Sequence, residues 1–157
     1  MKTKPASSFV EPVSQEGGDH LKSLFGSFKA SDAPASSVAA TAEEALRSRV
    51  KHLIAQCNGL FGKVVADLIA EGQADPSILK ELYESHIRPR RASTVADIER
   101  GMASGELVAG TDPELLMDAI FAPIYIRLLL RHTALTQVYG KRLIDQALLG
   151  TKARTNK

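Results

Sequence analysis

Residues 112–131 read DPELLMDAIFAPIYIRLLLR, and this stretch decides the fold. Asp112 followed by Pro113 is a helix-start signal: a carboxylate to cap the first N–H groups, then a ring at the first helical position, where the missing N–H costs nothing. From Leu115 to Leu130 only Asp118 and Arg127 carry charge, so the helix has almost no polar face. A helix that is apolar all round has to be covered all round. The next apolar-periodic stretch, Thr136 to Leu149, carries Val138, Tyr139, Leu143, Ile144, Ala147 and Leu148 and ends at Gly150. The two stretches make a helix hairpin.

Upstream the signals are also helical. Thr41 and Glu44 have the spacing of a capping box, and Leu46, Val50, Leu53 and Ile54 give the helix behind them one apolar face, ending near Asn58. A second helix is predicted from Gly59 to Glu71, stopped by Gly72. Asp75-Pro76 repeats the start signal for a long third helix that closes at Gly105, with a kink or short break expected at Arg88–Pro89 because proline cannot donate to the helix ladder. No strand alternation and no internal repeat is visible, so the fold class is all-α, a helical bundle of five to six helices. Three parts are expected: a flexible arm over 1–42, a helical domain over 43–150 and a disordered tail over 151–157. Within the arm, Leu21, Leu24, Phe25 and Phe28 behind Asp19 predict one short amphipathic helix, whereas Ala33 to Thr41 is nearly all Ala, Ser, Pro and Thr, too little apolar surface to offset the entropy of ordering.

Composition narrows the function. A single cysteine, Cys57, allows no internal disulfide; the N-terminus has no apolar signal core and no apolar run spans a bilayer, so a cytoplasmic protein away from membranes is expected. A formal charge of +2 does not imply a grip on nucleic acid. The histidines at 20, 52, 86 and 132 lack metal-ligand spacing, and no nucleophile elbow or phosphate-cradling glycine loop is present, so neither a metal, a cofactor nor an enzyme is expected. Arg88-Pro-Arg-Arg91 is the densest basic cluster; it could meet an anion, and a solvated helix face is the plainer reading.

Two expectations arise from the hairpin. A five-helix domain has few layers with which to surround the 113–131 helix, so part of its surface is expected against a second copy, the paired hairpins forming a four-helix bundle across Leu116, Ile120, Ile124, Leu128, Tyr139, Leu143 and Ala147. A pocket for a small apolar ligand is expected where Pro89 and Pro123 disturb regular packing. Tyr83 and His86 lie three apart before one proline, Phe121 and Tyr125 flank the other, and Phe61 and Met102 could line the same space.

Several segments together resemble a known family. Leu68-Ile-Ala-Glu-Gly-Gln-Ala-Asp-Pro76, Ile87-Arg-Pro-Arg-Arg91, Ile98-Glu-Arg-Gly-Met-Ala-Ser-Gly-Glu-Leu107 and Asp112-Pro-Glu-Leu115 look like consecutive landmarks of the C-terminal domain of tetracycline-repressor (TetR) family transcription regulators. Phe121-Ala-Pro-Ile-Tyr-Ile-Arg-Leu-Leu129 is similar to the family's G-P-L-Y-Y-R-L-L segment, with Ala122 where glycine is common and Ile126 in place of the second tyrosine. The resemblance covers Glu43 to Gly150. It implies a homodimer built on the last two long helices, and in each subunit a cavity for a small hydrophobic effector whose binding moves two helix-turn-helix heads off DNA. Nothing in residues 1–42 resembles such a head, so DNA contact would need a helix-turn-helix half supplied by another chain or a longer gene product. Two other readings stand beside this one: a headless dimerisation partner that modulates a full-length regulator, and a small helical enzyme using His86 and Tyr83 as acid–base groups.

Overall fold

Six α-helices succeed one another among the described residues: α1 (Ala42–Cys57), α2 (Leu60–Glu71), α3 (Pro76–Leu82), α4 (Arg88–Ala103), α5 (Pro113–Leu130) and α6 (Gln137–Leu148). The computed structural model describes residues 41–152 and, upstream of them, Ser23. The short helix expected over 21–28 otherwise falls outside the described residues, as do 153–157. A single π-turn, Tyr83–Ile87, joins α3 to α4, and the only pairing of extended type among the described residues is an isolated bridge between Leu107 and Lys152. The class is all-α, as the helical periodicity predicts.

The helix starts are the ones written in the sequence. Asp75 accepts from the Ser77 N–H at 3.0 Å, Asp112 from the Leu115 N–H at 3.0 Å and Thr136 from the Tyr139 N–H at 3.2 Å. At α1 the satisfaction is more complete. Thr41 Oγ1 accepts from the Glu44 N–H at 3.1 Å, Glu44 Oε2 accepts from the Thr41 N–H at 3.3 Å, and the two N–H groups between them, of Ala42 and Glu43, donate to the carboxylate of Glu106 at 2.7 and 2.8 Å. All four donors that a helix leaves unpaired at its start are therefore bonded, two of them to an anion at the positive end of the helix dipole.

Pro89 does not break the helix. Where a kink or short break is expected, at Arg88–Pro89, the structure has a π-turn directly before the proline, and α4 runs on through Pro89 in its first turn. The π-turn takes in one extra residue, which relieves the conflict between the proline ring and the carbonyl four residues back.

Helix α1 is central, packing on α2, α4, α5 and α6. Leu46 and Ile54 are fully buried on it. Its approach to α6 is close because α6 offers Gly140 there: a Cβ at that position would lie 2.5 Å from Ile54 Cδ1 and 2.9 Å from Val50 Cγ1. The inner face of α5 carries Leu116, Met117, Ile120, Ile124 and Leu128, all buried. This corrects the expected dimer face: Leu116, Ile120, Ile124 and Leu128 belong to the core of one subunit, while Tyr139, Leu143 and Ala147 are half-buried along α6. In a helix apolar all round, the sequence pattern carries no mark of which stripe faces inward.

The tail expected to be disordered from 151 is tied down at its first two residues. The Val108 N–H donates to the Thr151 carbonyl at 2.8 Å, and Lys152 Nζ lies 2.6 Å from Glu43. Among the described residues no single helix is long and apolar enough to cross a membrane.

Glu106→Ala removes both acceptors from the start of the central helix and should lower the unfolding free energy by about 1–2 kcal/mol, read from urea unfolding followed by circular dichroism.

Candidate functional site

A cavity of about 90 Å³ lies between α1, α4 with the end of the π-turn, and α5. Helix α1 contributes Arg49, His52, Leu53 and Gln56; the second wall contributes Ile87, Arg90, Arg91 and Thr94; α5 contributes Met117, Phe121 and Tyr125. These spacings of three and four place each set on one face of its helix. Pro89 and Pro123 lie between lining residues along their helices and do not themselves line the cavity.

Leu53, Ile87, Met117, Phe121 and the Tyr125 ring supply the apolar lining, and the polar lining is made of three guanidinium groups, the His52 imidazole, the Gln56 amide and the hydroxyls of Thr94 and Tyr125. Arg49 is buried and fully engaged: its Nε and Nη2 donate to Asp97 Oδ2 at 2.8 and 2.6 Å, and Nη2 also donates to Ser93 Oγ at 2.6 Å. The buried Asp97 carboxylate also accepts from Arg100 at 2.6 Å through its other oxygen. Arg91 reaches out of the cavity to the exposed carboxylates of Asp118, at 2.6 Å, and Glu114 on α5. Arg90 donates to the Gln56 amide oxygen at 3.3 Å, and its guanidinium sits 5.4 Å from the Phe61 ring centroid.

Burial is the largest influence on the ionisable groups here, with the Arg90 charge second or third. Burial depresses His52 below the ordinary imidazole range, and the Arg90 charge depresses it further. Burial pushes the Tyr125 hydroxyl up to about 12 and the Cys57 thiol up to about 11, with the Arg90 charge pulling each back in part. At neutral pH the site therefore holds a neutral imidazole, a protonated phenol and a guanidinium. His52 Nε2 is buried without a hydrogen-bond partner.

Of the residues expected to line a pocket, Phe121 and Tyr125 line this cavity, and Phe61, Tyr83, His86 and Met102 do not. Tyr83 is 43% exposed. His86 is buried with its ring centroid 4.9 Å from that of Phe61, and Met102 packs against the core. The expectation failed at Tyr83 and His86 because it assumed α-helical spacing, while both lie in the π-turn, where residues three apart no longer share a face. The same geometry separates the acid–base pair that an enzyme reading would need. The solvated face expected for the basic cluster holds for Arg88 alone; Arg90 and Arg91 are half-buried in the cavity wall. The residues missed, Arg49 and His52 above all, had one visible signal: polar groups on the apolar stripe of α1 defined by Leu46, Val50 and Leu53.

The outer face of α5 is also informative. Leu115, Ala119, Ala122, Ile126 and Leu129 recur at intervals of four, three, four and three, and all are exposed, with Leu115 at 68% and Ile126 at 51%; Leu130 beside them is 68% exposed. On α5 this stripe, not the one read from the sequence, is the apolar face left open.

Burial and the Arg90 charge hold His86 down at about 4 against an ordinary 6.5. As pH falls from neutral through 6.5 towards 4, the unfolded chain takes up a proton that the folded chain refuses, so stability is present above that window and lost across it. With screening allowed for, His86 should account for a loss of about 2 kcal/mol. Urea unfolding at a series of pH values should show a shallower slope over this window in His86→Phe than in the wild type.

Comparison with known proteins agrees with this architecture. The chain matches the family described as "Tetracyclin repressor-like, C-terminal domain" over residues 14–147, which reaches further towards the N-terminus than the resemblance drawn from Glu43 onward. It is 33% identical over 92 residues to the uncharacterized HTH-type transcriptional regulator YdeS of Bacillus subtilis (strain 168), a stretch covering 59% of this chain and 46% of that protein. The chain thus matches less than half the length of that curated relative. No solved structure matches it. With an all-helical fold ending in an apolar hairpin and a family match across most of its length, the chain belongs to the tetracycline-repressor-like family, as a C-terminal domain of that kind.

Proposed function

We propose that this domain is the effector-sensing and dimerisation half of a transcription regulator, a cytoplasmic binding module and not an enzyme. One observation carries the reading: α5 lends one face to the cavity, through Met117, Phe121 and Tyr125, and leaves another face apolar and open, through Leu115, Ile126 and Leu129. A helix packs as a rigid unit, so whatever fills the cavity biases the position of the outer stripe, and two sites joined by one such element are what allosteric coupling requires. A contiguous apolar stripe of this kind supports pairing with a second copy of the chain, hairpin against hairpin, in a four-helix arrangement. The register of that pairing runs along Leu115, Ala119, Ala122, Ile126 and Leu129, offset from the buried Leu116–Leu128 stripe. The relative's description as an HTH-type regulator supports a DNA-directed role, with operator contact made by a helix-turn-helix part that moves with the dimer's geometry.

Light scattering of the purified chain at micromolar concentration should report a dimer. Ile126→Glu combined with Leu130→Glu should give a monomer of unchanged helical content, because both side chains are exposed in the subunit and their loss leaves its core intact. A wild-type monomer at that concentration would remove the dimerisation half of the reading.

A further inference from the structure

The cavity between α1, α4 and α5 holds a polar atom that the fold leaves unsatisfied, and its needs narrow the choice of effector; this inference rests on the sensor reading above. His52 lines the cavity from α1, and its Nε2 is buried with no hydrogen-bond partner. Burial, and after it the Arg90 charge, keeps the imidazole neutral, so one ring nitrogen donates and the other accepts. An unpaired nitrogen in such a place is a standing cost, which a ligand removes by bonding to it. Three constraints select the ligand's polar group. Three guanidinium groups in the same lining disfavour an ammonium head, and two of them, Arg49 and Arg91, already meet the carboxylates of Asp97, Glu114 and Asp118 without a bound anion. Space is the second constraint: a cavity of roughly 150 Å³ takes a benzene ring, and about 90 Å³ favours a polar group of one heavy atom over a carboxyl or an amide. The third is pairing. A hydroxyl both donates and accepts and so meets Nε2 in either imidazole tautomer, whereas a carbonyl or an ether only accepts.

We propose that the effector is a small uncharged hydroxyl compound, a phenol or a short-chain alcohol, whose hydroxyl bonds to His52 Nε2, and that His52 is the residue by which the domain tells such a molecule from an apolar one of the same size. Leu53, Ile87, Met117, Phe121 and the Tyr125 ring supply apolar contact to the ring or chain that carries the hydroxyl. Apolar contact alone binds the hydroxyl compound and its apolar isostere alike; the difference between them lies in the buried nitrogen, which the isostere leaves unpaired.

The test is a titration of the full chain with phenol, fluorobenzene and benzoate, which share a ring and differ in the group offered to His52. Phenol should bind about tenfold tighter than fluorobenzene, the ratio that one neutral hydrogen bond supplies, and tighter than benzoate. His52→Leu should bring the ratio of phenol to fluorobenzene to within about threefold while leaving fluorobenzene binding unchanged. If His52→Leu fails to fold, nitrogen-15 NMR of the wild type decides: phenol should move the His52 Nε2 resonance further than fluorobenzene does, and an equal shift overturns the assignment. Equal binding of phenol and fluorobenzene, or a preference that survives in His52→Leu, overturns the role of His52 and leaves the cavity as a sensor for apolar molecules. Benzoate bound tighter than phenol overturns the uncharged ligand class. Binding of none of the three overturns the assignment together with the ligand half of the sensor reading, while a dimer in light scattering would leave the dimerisation half standing.

Discussion

The Arg49–Asp97 pair aligns two of the three helices from which the cavity is built. Arg49 lies on the stripe of α1 that also carries Leu46, Val50 and Leu53, and Asp97 lies on the buried face of α4 with Thr94, Ile98 and Gly101. A charge in either place is costly unless it is paired and hydrogen-bonded, and leaving one such partner alone costs about 3–5 kcal/mol. The conditions for pairing are strict: the guanidinium donates to one carboxylate oxygen through two nitrogens and also to the Ser93 hydroxyl, while Arg100 donates to the other carboxylate oxygen. Apolar residues could fill the same volume. What the ion pair contributes is one alignment of α1 on α4 in which all these groups meet, and that alignment sets His52 and Gln56 across from Arg90 and Thr94.

The π-turn works on the same wall. Because it takes in an extra residue ahead of Pro89, it rotates the residues before the proline relative to those after it, leaving Tyr83 in solvent and Arg90 and Arg91 in the cavity. The π-turn lies directly upstream of Pro89, one of the usual adjustments a helix makes around a proline, and the lining residues run on from Ile87 to Thr94.

The fold was legible because its signals are local. Thr41, Asp75, Asp112 and Thr136 cap helices by reaching two or three residues along the chain, and such contacts can be read from spacing alone. The other half of the α1 cap was not legible, since Glu106 comes from more than sixty residues away and nothing near Thr41 announces it. The site was legible where an ordinary α-helix carries it, at Phe121 and Tyr125, and illegible at Tyr83 and His86, where the helix widens. The outward stripe of α5 was missed for a different reason: when every face is apolar, periodicity cannot choose among them, and only the packing of α1, α2, α4 and α6 around that helix makes the choice.

That choice gives α5 its functional interest. Its inner face is held by apolar packing, which tolerates small displacements poorly because cores are close-packed. Its attachment to the α4 wall at the cavity rim runs through Arg91 to Glu114 and Asp118, both exposed, and exposed ion pairs are individually worth about 1 kcal/mol or less. Glu114 and Asp118 each sit one residue before Leu115 and Ala119, at the start of the open apolar stripe. The N-terminal half of α5 is thus held to the α4 wall in two ways, by the buried Leu116, Met117 and Ile120 on its inner face and by exposed ion pairs at the point where the outer stripe begins.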